Sequence, residues 1–513
     1  MKPFRWDIEI ASGKRTLVSI REFTVRENRM TFLFGESGIG KSLISKAVYG
    51  LLNPDDLDVR INREPFNAYL ADPDTQTLQR NSFFVFQEPS SHLHPLLTLD
   101  MQLSEGSLSK ATTQEQVLEQ LWDNSTRQDI RHLLDVYPKP FRPSGGEKQR
   151  VLAAAAFMKI DMLPPLSSDT PTLFVFDEPT GSLDNHLRDV LLDMTFDRFR
   201  QRRFTILIIT HDYSMISKVR ESAVDLRDSI DFKELALHRG SLALTDFQPD
   251  TYTTWVTQDI TRRGATARQN VRDPVCEVPS GTLVFGRRLL TSRDHAGKME
   301  APLRLAQGSM VYLKAPSGTG KTTLVKIMMG LQRADSFSMT LGNIALSHRT
   351  PRRLWQRNIW GRRMTMVFQH ADEALNLQST VREIFLGLPS AERITDYAIR
   401  ETLAELFDPE DIGGLLGQPV GTLSGGQKQK LNLLRGLFLH TDVLILDEPL
   451  NGLDFESARK VIAMLRKKQL EGKALLVISH NEEIFDAVTG AEATYYLHSI
   501  PFRIGSHEAA HIS

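Results

Sequence analysis

The sequence predicts an α/β protein of two repeated domains. Each has a mainly parallel sheet core, an antiparallel β portion and a helical subdomain. Three observations carry this. A glycine-rich loop ending in lysine stands between an apolar run and an apolar-periodic segment at 35–42, and again at 315–322. An apolar run ending in Asp-Glu-Pro occurs at 173–179, and again at 443–449. The motifs keep one order at a nearly constant separation. Lys41 and Lys321 are 280 residues apart, as are Ser144 and Ser424; Gln87 and Gln369 are 282 apart, Glu178 and Glu448 270, and His211 and His480 269. One unit therefore occurs twice. The slip of ten falls within Ile160–Pro171, a proline- and serine-bearing insert of the first half that reads as a surface loop.

The totals agree with this division. A chain of 513 residues holds two or more domains on size alone. A net charge of −1 gives no global pull toward nucleic acid or anionic membrane. The single cysteine, Cys276, excludes an internal disulfide and any cysteine-built metal cluster. No apolar run approaches the roughly 18 residues of a membrane span. The first residues lack the apolar core of a signal peptide.

In chain order, residues 1–34 alternate as β-strands, through Ile8, Ile10, Val18, Ile20, Phe23 and Val25 to Met30–Phe34. Trp6 is either a core aromatic or a platform for a base. The first loop follows: Gly35, Glu36, Ser37, Gly38, Ile39, Gly40, Lys41 and Ser42. Its glycines let successive backbone N–H groups turn inward on phosphate oxygens, and the following helix adds its positive dipole end. Lys41 can reach the β- and γ-phosphates, and the Ser42 hydroxyl can ligate Mg²⁺. The second copy has Ser317, Gly318, Gly320, Lys321, Thr322 and Thr323, with Ala315 at the first glycine position. Alanine serves there if the backbone angle is ordinary.

Residues 53–81 read as a polar, irregular segment, and Ser82–Phe86 as a strand ending at Gln87, matched by Val367, Phe368 and Gln369. A glutamine at the end of such a strand can contact Mg²⁺ or an attacking water. Residues 97–137 and 379–408 read mainly as helix. Ser144, Gly145, Gly146 and Glu147 then open a helix, as do Ser424, Gly425, Gly426 and Gln427. Serine, free N–H groups and a helix N-terminus facing one way make an anion site; an ordinary N-cap has the same signature.

The runs ending in Asp177-Glu178 and Asp447-Glu448 suit strands buried on both faces. Asp177 and Asp447 are candidate Mg²⁺ holders, and Glu178 and Glu448 candidate general bases. Leu183-Asp184 and Leu453-Asp454 follow. Each half then has a strand ending in histidine, His211 or His480, at the edge of the sheet where ligands bind. The first half closes with a strand–turn–strand pattern over Leu235–Leu244, turned at Arg239-Gly240. The domains are thus 1–247 and 281–505, joined by a polar linker at 248–280 and ending in a tail at 506–513. A basic run from Arg352 to Arg363 with Trp355 and Trp360 reads as a solvated hairpin.

With these motifs placed, the chain resembles the ATP-binding cassette (ABC) ATPases twice over, across about residues 1–247 and 281–505. The resemblance implies ATP and Mg²⁺ as cofactors and ATP hydrolysis as the activity. It also implies head-to-tail pairing of the cassettes within the chain. Site one would join Lys41, Ser42, Gln87, Asp177, Glu178 and His211 to Ser424, Gly425, Gly426 and Gln427. Site two would join Lys321, Thr322, Gln369, Asp447, Glu448 and His480 to Ser144, Gly145, Gly146 and Glu147. Departures from the family pattern (Pro143, Glu147 and Ala315) all fall on site two. Both sites are expected to hydrolyse ATP, site two more slowly.

The segments after Gln87 and Gln369 are similar to the peptide and nickel importer branch, though His94 and Leu377 depart from it. The resemblance implies an energy-coupling subunit on the cytoplasmic face of the inner membrane. Its partners would be two integral permease subunits and a substrate-binding protein, with no nucleic acid. The alternative is a soluble tandem ABC ATPase acting on ribosomes or within a multi-enzyme complex. The short, non-periodic stretch at 248–280 and the single cysteine count against it.

Overall fold

The chain divides into two compact units, Met1–Thr253 and Thr254–Ser513. The computed structural model describes residues 3–105, 114–122, 130, 134, 143–164, 171–181, 183, 185–238, 241–260, 274–389 and 393–502.

The strands of the first unit are β1 (Pro3–Ser12), β2 (Arg15–Arg26), β3 (Met30–Gly35), β4 (Asp58–Ile61), β5 (Glu64–Pro65), β6 (Phe84–Val85), β7 (Phe174–Asp177), β8 (Ile206–Ile209), β9 (Ile230–His238) and β10 (Ser241–Asp246). β1 and β2 form the antiparallel hairpin that their alternation predicts, and they join β4 and β5 in a sheet of order β2-β1-β4-β5. The core sheet has the order β10-β9-β3-β8-β7-β6, parallel from β9 to β6. β3, β7 and β8 are buried at every position, which is why they read as continuous apolar runs.

The second unit holds β11 (Pro274–Val278), β12 (Thr282–Val284), β13 (Arg287–Ser292), β14 (Leu303–Ala306), β15 (Met310–Lys314), β16 (Ser338–Leu341), β17 (Ile344–Ser347), β18 (Met364–Val367), β19 (Val443–Asp447), β20 (Ala474–Ile478) and β21 (Thr494–Pro501). Its antiparallel sheet runs β14-β11-β16-β17, and its core sheet β12-β13-β21-β15-β20-β19-β18. The pair β1/β2 has become two pieces. Pro279 offers no N–H and Gly281 takes φ +100°, so the chain breaks between β11 and β12. Residues 293–302 depart between β13 and β14. The distal half then pairs through β13 with β21 and extends the core sheet.

Helices flank both core sheets. Each candidate phosphate loop leads into one, Lys41–Tyr49 or Lys321–Met328. Each Ser-Gly-Gly motif leads into another, Gly145–Asp161 or Gly425–Phe438. The predicted helical regions contain Leu99–Glu105 and Gln114–Leu121 in the first unit, and Val381–Leu386 and Asp396–Ala404 in the second. Most of 127–137, the middle of the insert at 165–170 and the turn at Arg239-Gly240 lie outside the described residues.

Three local expectations change. Residues 53–81 are not irregular: they form β4, β5 and the helices Phe66–Ala71 and Pro73–Asn81. Asp72 caps the second of these through Thr75 N, and Phe66 and Leu78 anchor the pair in the core. Residues 249–260 of the predicted linker are helical, with Tyr252, Trp255, Val256 and Ile260 buried, and 274–278 are β11. The basic run at 352–363 is not a solvated hairpin: residues 352–359 are helical and 361–363 form a turn. Trp355 is buried in the core, and Trp360 Nε1 donates to Met329 O at 2.8 Å. Trp6 is a core residue, stacked on Phe4.

Candidate functional site

Each unit places its loop, glutamine, Asp-Glu and histidine candidates at the carboxyl ends of parallel strands of one sheet, where an open α/β sheet binds ligands, and its Ser-Gly-Gly candidates at a helix start. The first loop leaves β3 with Gly35 at φ +145°, Gly38 at +80° and Gly40 at +112°. The second repeats the last two, with Gly318 at +77° and Gly320 at +108°. Gly40 and Gly320 are the N-caps of the helices that follow, so the loop amides and the helix N-terminus share one concavity. Ser37 and Ser317 are exposed at the loop tips, and Thr323 is half-buried in the helix's first turn.

Lys41 and Lys321 lie back along their own loops. Lys41 Nζ donates to Gly35 O at 2.6 Å and Glu36 O at 3.0 Å. Lys321 Nζ donates to Ala315 O at 2.5 Å and Pro316 O at 3.3 Å. Burial lowers the Lys41 ammonium, against the charges of Glu178, Asp177 and Glu36.

Facing each loop is the acidic strand end. Ser42 Oγ donates to Asp177 Oδ1 at 2.8 Å, and the Thr322 hydroxyl bonds Asp447 in the same way. The second oxygen, Oδ2, of both Asp177 and Asp447 is buried without a hydrogen-bond partner. An orphaned buried carboxylate oxygen beside a hydroxyl suits a hard divalent cation, so these residues fit Mg²⁺. Burial pushes the Asp177 carboxyl up to about 6, and raises Asp447 too.

Glu178 and Glu448 come next, at φ +48° and +51°. Each donates its N–H to the neighbouring strand, Glu178 to Ile209 O and Glu448 to Ile478 O, before the proline turns the chain away. A glutamate in the left-handed region costs on the order of 1–3 kcal/mol, and both halves keep it at the same place. His211 Nδ1 stands 2.9 Å from Glu178 Oε2. Burial alone would lower that imidazole, but the charge and hydrogen bond of Glu178 outweigh it and raise it. His480 Nε2 stands further from Glu448 Oε1, at 3.5 Å. Glu448 is held instead through Oε2, which accepts from Ser479 Oγ and His480 N, both at 3.0 Å. Burial lifts its carboxyl to about 7. The Ser479 contact is absent from the sequence reading, which stopped at the histidine.

Gln87 lies exposed just past β6, and Gln369 half-buried just past β18. Residues one position before them are tied to the second set of motifs: Gln149 Nε2 donates to Phe86 O, and Asn432 Nδ2 to Phe368 O. Ser144 and Ser424 cap their helices with full capping boxes, partnered by Glu147 and Gln427. Glutamate at 147 therefore does the same local work as glutamine at 427. Gly145, Gly146, Gly425 and Gly426 supply the first helical N–H groups.

The chain is similar to known proteins along most of its length. A family model described as ABC transporter matches residues 18–181 and 299–451. A putative ABC transporter ATP-binding protein of Methanosarcina mazei is 25% identical over 464 residues, covering 90% of this chain and 86% of that protein. A peptidoglycan transport ATP-binding protein, YejF, of Agrobacterium fabrum is 26% identical over 514 residues, covering 94% of this chain and 88% of its own. The solved structure of an RNase-L inhibitor superposes with a TM-score of 0.61 at 18% identity, covering 96% of this chain and 89% of that one.

Proposed function

The chain belongs to the ABC transporter family as a tandem ABC ATPase, and from that premise we propose that it is the energy-coupling subunit of a membrane transporter. The observation that carries the ATPase reading is the duplicated constellation: a loop hydroxyl bonded to the strand-end aspartate, a left-handed glutamate beside it, and a histidine against that glutamate. In this reading the loop amides, Lys41 and Lys321 hold the β- and γ-phosphates of ATP. Ser42, Asp177 and Gln87 would hold Mg²⁺ in one cassette, and Thr322, Asp447 and Gln369 in the other. Bound Mg²⁺ would supply Lewis-acid stabilisation of the phosphate charge. Glu178 and Glu448 take the proton of the attacking water, and His211 and His480 fix their orientation. The two Ser-Gly-Gly helix starts supply further donors to the γ-phosphate.

Transport itself rests on the company the chain keeps. Its relatives bear transporter names, and one is named for peptidoglycan transport. The segment Glu88–Pro95 is similar to the peptide and nickel importer branch. The reading is therefore import of peptides or a related small solute, driven through separate permease subunits at the cytoplasmic face of the cell membrane. Among the described residues no helix is long and apolar enough to cross a membrane, so the membrane path would belong to those partners. Affinity capture of the tagged chain from gently solubilised membranes, and separately from cytosol, tests this. Two integral membrane proteins are expected to co-purify. Recovery with ribosomes or soluble enzymes alone would overturn the transporter reading in favour of a soluble tandem ATPase.

A further inference from the structure

The first unit contains an ion-pair cluster that the repeat does not preserve. Arg188 lies in the first turn of the helix Asn185–Gln201, its side chain only 11% exposed. Its Nη1 donates to Asp212 Oδ2 at 2.9 Å and to Ser214 Oγ at 2.6 Å; its Nε and Nη2 both donate to Asp189 Oδ1, at 2.9 and 2.8 Å. Asp212 Oδ1 in turn accepts from Ser214 N at 3.0 Å and Ser214 Oγ at 2.6 Å. The Asp212 N–H is held by Thr210 Oγ1 at 3.0 Å. The Asp212 carboxylate and Ser214, just after His211 in the turn that follows β8, are thereby fixed, whereas the second unit keeps only the bond from the Asn481 N–H to Ser479 Oγ. A planar guanidinium bonded through three nitrogens has one orientation, unlike a lysine.

The same positions in the second unit are Ala458 and Asn481, four residues after Asp454 and one after His480. The neighbouring Arg459 spends its charge on Glu456. The histidines differ accordingly: His211 is 27% exposed and 2.9 Å from its glutamate, His480 41% exposed and 3.5 Å from its own.

We propose that Arg188, acting through Asp212, is a positioning residue that holds His211 against Glu178, a device confined to the first cassette. The inference rests on the ATPase reading of that site. Two measurements on the full chain separate the two. The first is the rate of diethyl pyrocarbonate modification of His211, read by peptide mass spectrometry with His480 as the internal reference. Asp212→Asn, which keeps the shape, and Arg188→Ala should each raise His211 reactivity several-fold, toward that of His480, without altering His480. Arg188→Lys, which keeps charge but not the fork, should not restore it. The second is ATP turnover, where both variants should lower kcat and leave the KM for ATP unchanged. Unchanged His211 reactivity in both variants overturns the brace. Raised reactivity with unaltered kcat overturns the role of His211 in hydrolysis, whereas absence of ATP turnover in the parent chain overturns the ATPase reading itself.

Discussion

Behind the phosphate loop of the first cassette, Phe34 stacks on Tyr213 with ring centroids 4.5 Å apart, in a cluster with Phe232 and Phe247. At the matching place in the second, Lys314 binds Asp486 at 2.6 Å and Glu482 at 3.2 Å. One residue on, Gly35 remains in the ladder beside Leu235, whereas Ala315 lies outside it, after the last pair, Lys314 with Tyr496. Towards the ligand edge the two halves agree: loop angles, hydroxyl–aspartate bond and left-handed glutamate recur. The geometry of the proposed phosphate site is repeated, while the layer supporting it uses aromatic packing in one half and ion pairs in the other. Packing and part-buried ion pairs contribute comparably at such sites, about 1 kcal/mol each.

The harshest test of this equivalence removes the glutamates. Glu178→Gln and Glu448→Gln should each slow hydrolysis in their own cassette about 10²–10⁴-fold, the usual contribution of a general base. Steady-state phosphate release should fall in both chains. A dead Glu178→Gln chain beside a fully active Glu448→Gln chain would break the comparison, leaving the second cassette a binding site only.

The repeated frame was legible because its signals are local in sequence. A strand buried on both faces reads as an apolar run, and a loop needing left-handed backbone reads as glycine at fixed offsets. What escaped depends on partners distant in the chain. Asp212 follows His211 by one residue, but its partner Arg188 is 24 residues back, and only comparison with Ala458 and Asn481 marks the pair. The split of the β1/β2 hairpin into four strands in the second half was hidden, because its break at Pro279–Gly281 looks like any turn. Trp355 and Trp360 looked solvated among arginines, yet arginine stems can leave a helical turn's inner face apolar. Residues 249–260 look polar in composition, but they are tethered by a few large side chains, Tyr252 and Trp255 among them.

The next test concerns the first loop residue. A Cβ on Gly35 would lie 2.5 Å from Leu235 O, a backbone atom that cannot swing away, and φ +145° disfavours any L-residue. Ala315 has no such positive φ. Gly35→Ala should therefore cost about 2–4 kcal/mol, a fall of roughly 5–15 °C in the unfolding midpoint of a domain this size. Ala315→Gly should cost under about 1 kcal/mol, through chain entropy alone. Scanning calorimetry of the full chains reads both. Equal shifts would mean that the two loops leave their strands in the same way, against the ladder registers.

The smallest effect separates the two cassettes by pH. Burial lifts the Glu448 carboxyl to about 7, from the 4.5 of an exposed glutamate. Between those values the folded chain holds a proton that the unfolded chain has lost, so stability falls as pH rises through the window, and the loss is complete above about 7. Glutamine mimics the protonated side chain and its oxygen can still accept from Ser479 and His480. In nucleotide-free protein without Mg²⁺, Glu448→Gln should thus match the parent at pH 5. It should exceed it at pH 8 by on the order of 1–3 kcal/mol, a few degrees in midpoint. A gain of the same size at both pH values would point to relief of packing or backbone strain rather than of a buried charge. No gain at either would mean that Ser479 Oγ and His480 N already offset the charge in full. The variant that should silence the second cassette is then also expected to stabilise it above neutral pH, because the carboxylate is costly to bury where hydrolysis needs it.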